Sequence, residues 1–133
     1  MQTFAIVKTD AEQRIVYGWA SVIVNDDGSP VIDNQNDIIT PAELEKAAYQ
    51  YVLKSRDGGV MHEETGVAKL VASLVTTPEI IKALFPNVHA GAIPTGWVVG
   101  FDVINEDVWK RVKDGELTGF SIHGGGDRIP VEV

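Results

Sequence analysis

Ser121 and His62 are the two side chains whose types together suit covalent chemistry. The chain of 133 residues holds no cysteine and three histidines, at 62, 89 and 123. Thiolate nucleophiles, Cys-ligated zinc and disulfide frameworks are therefore excluded, and serine, carboxylate and histidine chemistry remain. A serine hydroxyl becomes a nucleophile only when a base takes its proton. Neutral imidazole, with an ordinary pKa near ~6.5, is the side chain best matched to that task at cellular pH. The two residues lie 121 − 62 = 59 positions apart, so only the fold can bring them together. Ser121 stands in Gly119-Phe120-Ser121-Ile122-His123-Gly124, which is not the G-x-S-x-G nucleophile elbow, and the chain is too short for an α/β-hydrolase. A serine in a strand is commonly a small packing or surface residue, so pattern alone assigns neither residue a role.

Other motifs fail on inspection. His62-Glu63-Glu64-Thr65-Gly66 begins like the zinc-protease pattern H-E-x-x-H, but position 66 is glycine and the second ligand is missing. Asp33-Asn34-Gln35-Asn36-Asp37 alternates oxygen ligands as a calcium loop does, yet Ile38 replaces the turn glycine and Leu44 the bidentate glutamate; it reads as a polar loop leading into a helix cap. Gly124-Gly125-Gly126 lacks the Lys-Ser/Thr of a phosphate loop and opens no predicted helix. No metal and no cofactor are expected. With 11 basic against 19 acidic residues the formal charge is −8, the wrong sign for a protein that grips nucleic-acid backbone. The N-terminus lacks the basic start and apolar core of a signal peptide, and no apolar run approaches the ~20 residues that span a bilayer. No nucleic acid or membrane partner is expected, and the expected location is the cytoplasm.

The elements that must position Ser121 and His62 are legible from periodicity and punctuation. Residues 3–8 and 15–24 are rich in β-branched and aromatic side chains and predict a hairpin around Asp10-Ala11-Glu12-Gln13. Both parities of 15–24 are largely apolar, which predicts a strand covered on both faces. Stretch 67–75 alternates, with Ala68, Leu70, Ala72 and Leu74 expected to point inward. Stretch 96–103 sets Trp97, Val99, Phe101 and Val103 on one side and two glycines opposite. A short strand at 119–123 carries Gly119, Ser121 and His123 on one face, and 128–133 is expected to form a last edge strand.

Thr40-Pro41-Ala42-Glu43 is a capping box with proline at the first helical position; it opens a helix expected to run to Gly58-Gly59. Asn105 opens another, with the stripe Val108, Trp109 and Val112 and a stop at Gly115. A short third helix follows Thr77-Pro78-Glu79 and ends by Pro86. Strands interrupted by two or three helices without strict βαβ alternation predict a mixed α+β domain, mainly β, with a small, largely antiparallel β-barrel and helices packed outside. One domain over residues 1–133 is expected, since no repeat or linker divides the chain.

Four stretches, taken together, resemble the prohead (capsid maturation) proteases of tailed bacteriophages, in particular their XkdF-type branch. They are VYGWASV at 16–22, DNQNDIITPAELEKAAYQYV at 33–52, the His62 segment with VAKLVASLVT at 67–76, and GWVVGFDVINEDVWKRVKDGELTGFSIHGG at 96–125. The resemblance implies a fold similar to the herpesvirus assembly proteases, a β-barrel wrapped by helices. It implies a serine endopeptidase with Ser121 as nucleophile and His62 as base, acting on phage scaffold and major capsid proteins inside the assembling prohead in the host cytoplasm. Homo-oligomer formation is left open. The residue that orients the imidazole is open among Glu63, Glu64, His123, Asp127 and Glu132, and the oxyanion donors are unassigned. This sequence departs from the family in carrying His123 where a small residue is usual. It also ends 133 − 121 = 12 residues after the serine, where the family's barrel continues, so a domain shortened at its C-terminus is expected. The competing reading, from a different class, is a catalytically inactive module of the same fold that binds scaffold or capsid proteins during assembly.

Overall fold

A computed structural model describes residues 2–24, 39–60, 64–89 and 91–123. Ten elements follow in chain order: β1 (Gln2–Ala5), β2 (Lys8–Asp10), β3 (Ile15–Val24), α1 (Pro41–Lys54), β4 (Asp57–Val60), β5 (Glu64–Val75), α2 (Pro78–Leu84), β6 (Thr95–Val103), α3 (Glu106–Lys113) and β7 (Gly119–His123). The strands form one sheet in the order β1-β7-β4-β5-β6-β3-β2, and every pairing is antiparallel. The mixed α+β class, the antiparallel pairing and the three helices agree with expectation.

The barrel does not. Among the described residues the ladder begins at β1, ends at β2 and does not close. Its two end strands are nevertheless consecutive in the chain, because the single strand expected at 3–8 breaks at Ile6-Val7 into β1 and β2. The break lets β1 pair with β7 while β2 pairs with β3, and the Val7 N–H donates to the Tyr17 carbonyl at 2.7 Å. The close approach of β1 to β3 is the reason position 18 is glycine: a Cβ there would stand 2.2 Å from the Ala5 carbonyl oxygen. The result is a curled, open sheet. The expected edge strand at 128–133 lies outside the described residues.

The concave face holds the core. Trp97, Val99, Phe101 and Val103 of β6 are fully buried, as the alternation predicts. Phe101 stacks on Phe4, which stacks on Phe120 (centroids 5.4 and 6.0 Å apart). Helix α1 closes this face: its ring Tyr51 meets Trp97 edge-on at 5.5 Å beside buried Leu44, Ala47 and Ala48. The capping box forms as predicted, with Thr40 Oγ1 accepting from the Glu43 N–H and Glu43 Oε1 from the Thr40 N–H. Asn105 and Thr77 cap α3 and α2 in the same manner, and α3 buries Val108, Trp109 and Val112.

Two local expectations are corrected. Helix α1 stops at Lys54, not at Gly58-Gly59. Arg56, at φ +64°, turns the chain in the left-handed region, and Gly58-Gly59 belong to a strand, β4, that their glycines conceal from propensity. In β5, Ala68 is buried and Leu70 half-buried, but Ala72 is exposed. The register slips between the pairs Leu70↔Phe101 and Ala72↔Gly100. This β-bulge exchanges the two faces, so Val75 becomes the buried residue and Ser73 Oγ accepts from Trp97 Nε1.

Candidate functional site

Strand β7 is described over five residues, Gly119–His123. Phe120 and Ile122 are 1% and 2% exposed and fill the core, which assigns positions 119, 121 and 123 to the opposite, convex face. Ser121 is in register with Thr3 of β1 on one side and Gly59 of β4 on the other. Directly opposed residues of an antiparallel pair share a face, so positions 3, 121 and 59 form one row. Being paired along both edges, β7 leaves no free edge for a substrate strand to join.

The adjacent row on the same face carries charge. His123 is in register with Asp57 of β4, Asp57 with Lys69 of β5, and Lys69 with Asp102 of β6. The Lys69 ammonium donates to Asp57 Oδ1, forming an ion pair, and no described side chain takes Oδ2. Asp57 is further anchored through its main chain: the Tyr51 hydroxyl of α1 donates to its carbonyl. Burial, aided by the Asp57 charge, pushes the Tyr51 phenol well above its ordinary value, so this hydroxyl stays a donor.

His62, Glu63, Asp127 and Glu132 lie outside the described residues. Residues 61–63 link β4 to β5, whose facing ends are Val60 and Glu64. Glu64 starts β5, two strands away from β7 in the sheet order. Of the two candidate orienting residues whose backbone is described, Glu64 and His123, it is His123 that shares a strand with Ser121. Asp57 was missed because Asp-Gly-Gly after a helix resembles a stop followed by a loop; a strand long enough to carry it became visible only through pairing. Among the described residues no three His, Asp or Glu side chains gather as a metal-holding group, and no helix is long and apolar enough to cross a membrane.

The family model described as "Putative phage serine protease XkdF" matches residues 3–130. Two proteins of Bacillus subtilis (strain 168) are similar. "Uncharacterized protein YqbD" is 30% identical over 125 residues, covering 93% of this chain and 35% of that protein. "Phage-like element PBSX protein XkdF" is 28% identical over 116 residues, covering 87% of this chain and 38% of that protein. The chain thus spans somewhat over a third of the length of the curated relatives it matches. No solved structure matches.

Proposed function

This chain belongs to the family described as "Putative phage serine protease XkdF", and from that membership we propose that it is a serine endopeptidase in which Ser121 is the nucleophile and His62 the base. The observation that carries the reading is the register of β7. Ser121 is opposed to Gly59 on the strand that leads directly to His62. Three Cα steps of 3.8 Å separate residues 59 and 62, so covalent reach holds His62 within about 11 Å of Gly59. Two residues 59 apart in sequence are thereby confined to one end of one strand pair. Gly59 is itself buried and adds no side chain to the row beside the serine.

In this mechanism the His62 imidazole takes the Ser121 proton as Oγ attacks the carbonyl carbon of the scissile peptide. The tetrahedral intermediate collapses with cleavage of the C–N bond, and the imidazolium gives its proton to the leaving amine. Water, deprotonated by the same imidazole, then attacks the acyl carbon and returns Ser121 to its hydroxyl form. The substrates proposed are scaffold or major capsid protein segments of a phage prohead, cleaved during maturation inside the shell.

A fluorophosphonate probe tests the chemistry: Ser121 is labelled in the wild type, labelling is lost in Ser121→Ala, and it is strongly slowed in His62→Ala. Coexpression with phage scaffold and capsid proteins, followed by mass spectrometry, tests the substrates. Cleavage that persists in both variants removes these residues from the mechanism. Absence of labelling and of cleavage favours an inactive module that binds scaffold or capsid proteins.

A further inference from the structure

The sheet ends at β2, whose outer edge pairs with no strand among the described residues. We propose that this edge is the contact of a symmetric dimer: β2 of a second copy of this chain pairs with it antiparallel, Thr9 opposite the Thr9 of that copy, independently of the reading of Ser121.

The hydrogen bonds of β3 show which main-chain groups of β2 are open. The Tyr17 carbonyl accepts from the Val7 N–H, on the β2 side, whereas the Arg14 carbonyl accepts from the Val103 N–H, on the β6 side. Main-chain groups along an antiparallel strand alternate in direction, so those of Val16 face β6 as that of Arg14 does. Thr9 is in register with Val16. Theirs is therefore a non-hydrogen-bonded pair, and the N–H and C=O of Thr9 point away from β3. Thr9 is exposed, and such outward groups are a template for one further strand.

The side chains of β2, Lys8-Thr9-Asp10, select a second copy as that strand. A two-fold axis at Thr9 sets Lys8 opposite Asp10 of the other copy and Asp10 opposite its Lys8. Each chain supplies both signs, as an interface complementary to itself requires. Lys8 and Asp10 share one face with Tyr17 and Ile15, their partners in register, so both new pairs fall on that face. Moving the axis to residue 8 or 10 would oppose like charges and present main-chain groups that already face β3. Hydrogen bonds from Gln13 and Glu12 hold the Asp10 carboxylate in place and keep it ionised to lower pH than usual. The Lys8 ammonium lies 5.6 Å from the centre of the Tyr17 ring. The same register brings Val7, 70% exposed, to Ala11 of the other copy.

The plainer account is a protected edge, since a three-residue strand bearing a lysine is a device by which sheets discourage pairing. A lysine does so when nothing answers its charge; here Asp10 of the second copy does.

Sedimentation equilibrium of the whole chain, up to about 1 mM, the weak end of specific association, tests this with Thr9→Pro and Lys8→Glu. Proline removes the outward N–H and leaves the ladder to β3 intact, and Lys8→Glu sets a carboxylate against Asp10. The wild type is expected to form a two-chain species whose dissociation constant rises about tenfold or more in either variant, with thermal melting still cooperative. The chain has no cysteine, so oxidation of Thr9→Cys reports the register directly. A hydrogen-bonded pair sets Cα atoms about 5.5 Å apart, within disulfide reach, and two chains are expected to link, whereas Tyr49→Cys on the exposed side of α1 is expected not to. A wild type that stays monomeric, or a dimer that either substitution leaves unweakened, overturns the proposal. Loss of cooperative melting in Thr9→Pro overturns the outward placement of its N–H and the dimer with it, as does equal linking of the two cysteine variants.

Discussion

Gly58→Ala tests the packing that holds the site strand. Gly58 lies on the concave face of β4 between Ala68 of β5 and Ile122 of β7. The Phe101 ring reaches across Ala68 to cover it. A Cβ at position 58 would stand 2.9 Å from Phe101 Cδ1, 3.0 Å from Cε1 and 3.2 Å from Ala68 Cβ, against an optimum of about 3.5–4.0 Å for carbon pairs. Phe101 has little freedom to yield, being fully buried, stacked on Phe4 and set edge-on to Tyr51. Overpacking of this kind costs about 1–3 kcal/mol. Gly58 is not among the glycines with positive φ, so alanine adopts its backbone without strain and recovers about 0.4–1 kcal/mol through the unfolded chain. The expected net loss is about 1–2 kcal/mol. Urea unfolding should show it as a midpoint lowered by about 1 M with an unchanged slope. Adding Phe101→Leu to Gly58→Ala should cost less than the two single effects summed, by about 0.5 kcal/mol or more. Because β4 also carries Gly59 opposite Ser121, probe labelling should slow in parallel. Unchanged or increased stability, or strict additivity of the pair, refutes the contact and the packing derived from it.

Two further outcomes follow from individual side chains. Burial holds the Tyr51 phenol in its neutral form beyond its ordinary range. Stability is therefore insensitive to this group below about pH 10, and falls above it as the unfolded chain releases a proton that the folded chain keeps. Unfolding free energy measured against pH should decline more steeply in the wild type than in Tyr51→Phe, which itself loses about 1 kcal/mol at neutral pH by leaving the Asp57 carbonyl without its donor; equal slopes refute the assignment. The bulge in β5 predicts opposite fates for two alanines of the same parity. Ala72→Lys on the exposed side should stay within about 0.5 kcal/mol of the wild type, whereas Ala68→Lys at a fully buried position should prevent cooperative folding, and thermal melts of the two decide it.

Local rules, those that act within one turn or one strand, were legible in the sequence. The Thr40 capping box, the Asn105 and Thr77 caps, the β6 alternation and the α3 stripe all depend on residues within a few positions of one another, and each forms as read. The absence of cysteine and the identity of Ser121 and His62 are likewise properties of the sequence, as is the resemblance borne out by the family match. What fails locally is whatever depends on a partner strand. Gly58-Gly59 lacks strand propensity, and β4 exists because β5 and β7 supply hydrogen bonds on both its edges. The parity of β5 is lost at a bulge that only pairing with β6 defines. Closure into a barrel required β1 and β2 to join the ladder as neighbours, and the break at Ile6-Val7 sends them to opposite ends of it. The row Ser121–Gly59 and the opposition of His123 to Asp57 are likewise decided by register, a choice set by the burial of Phe120, Ile122, Gly58 and Ala68 against one core. A one-residue slip would send Ser121 inward and remove it from the convex face. The sequence by itself determined which atoms are available for chemistry; the packing of that core decides which of them share a face.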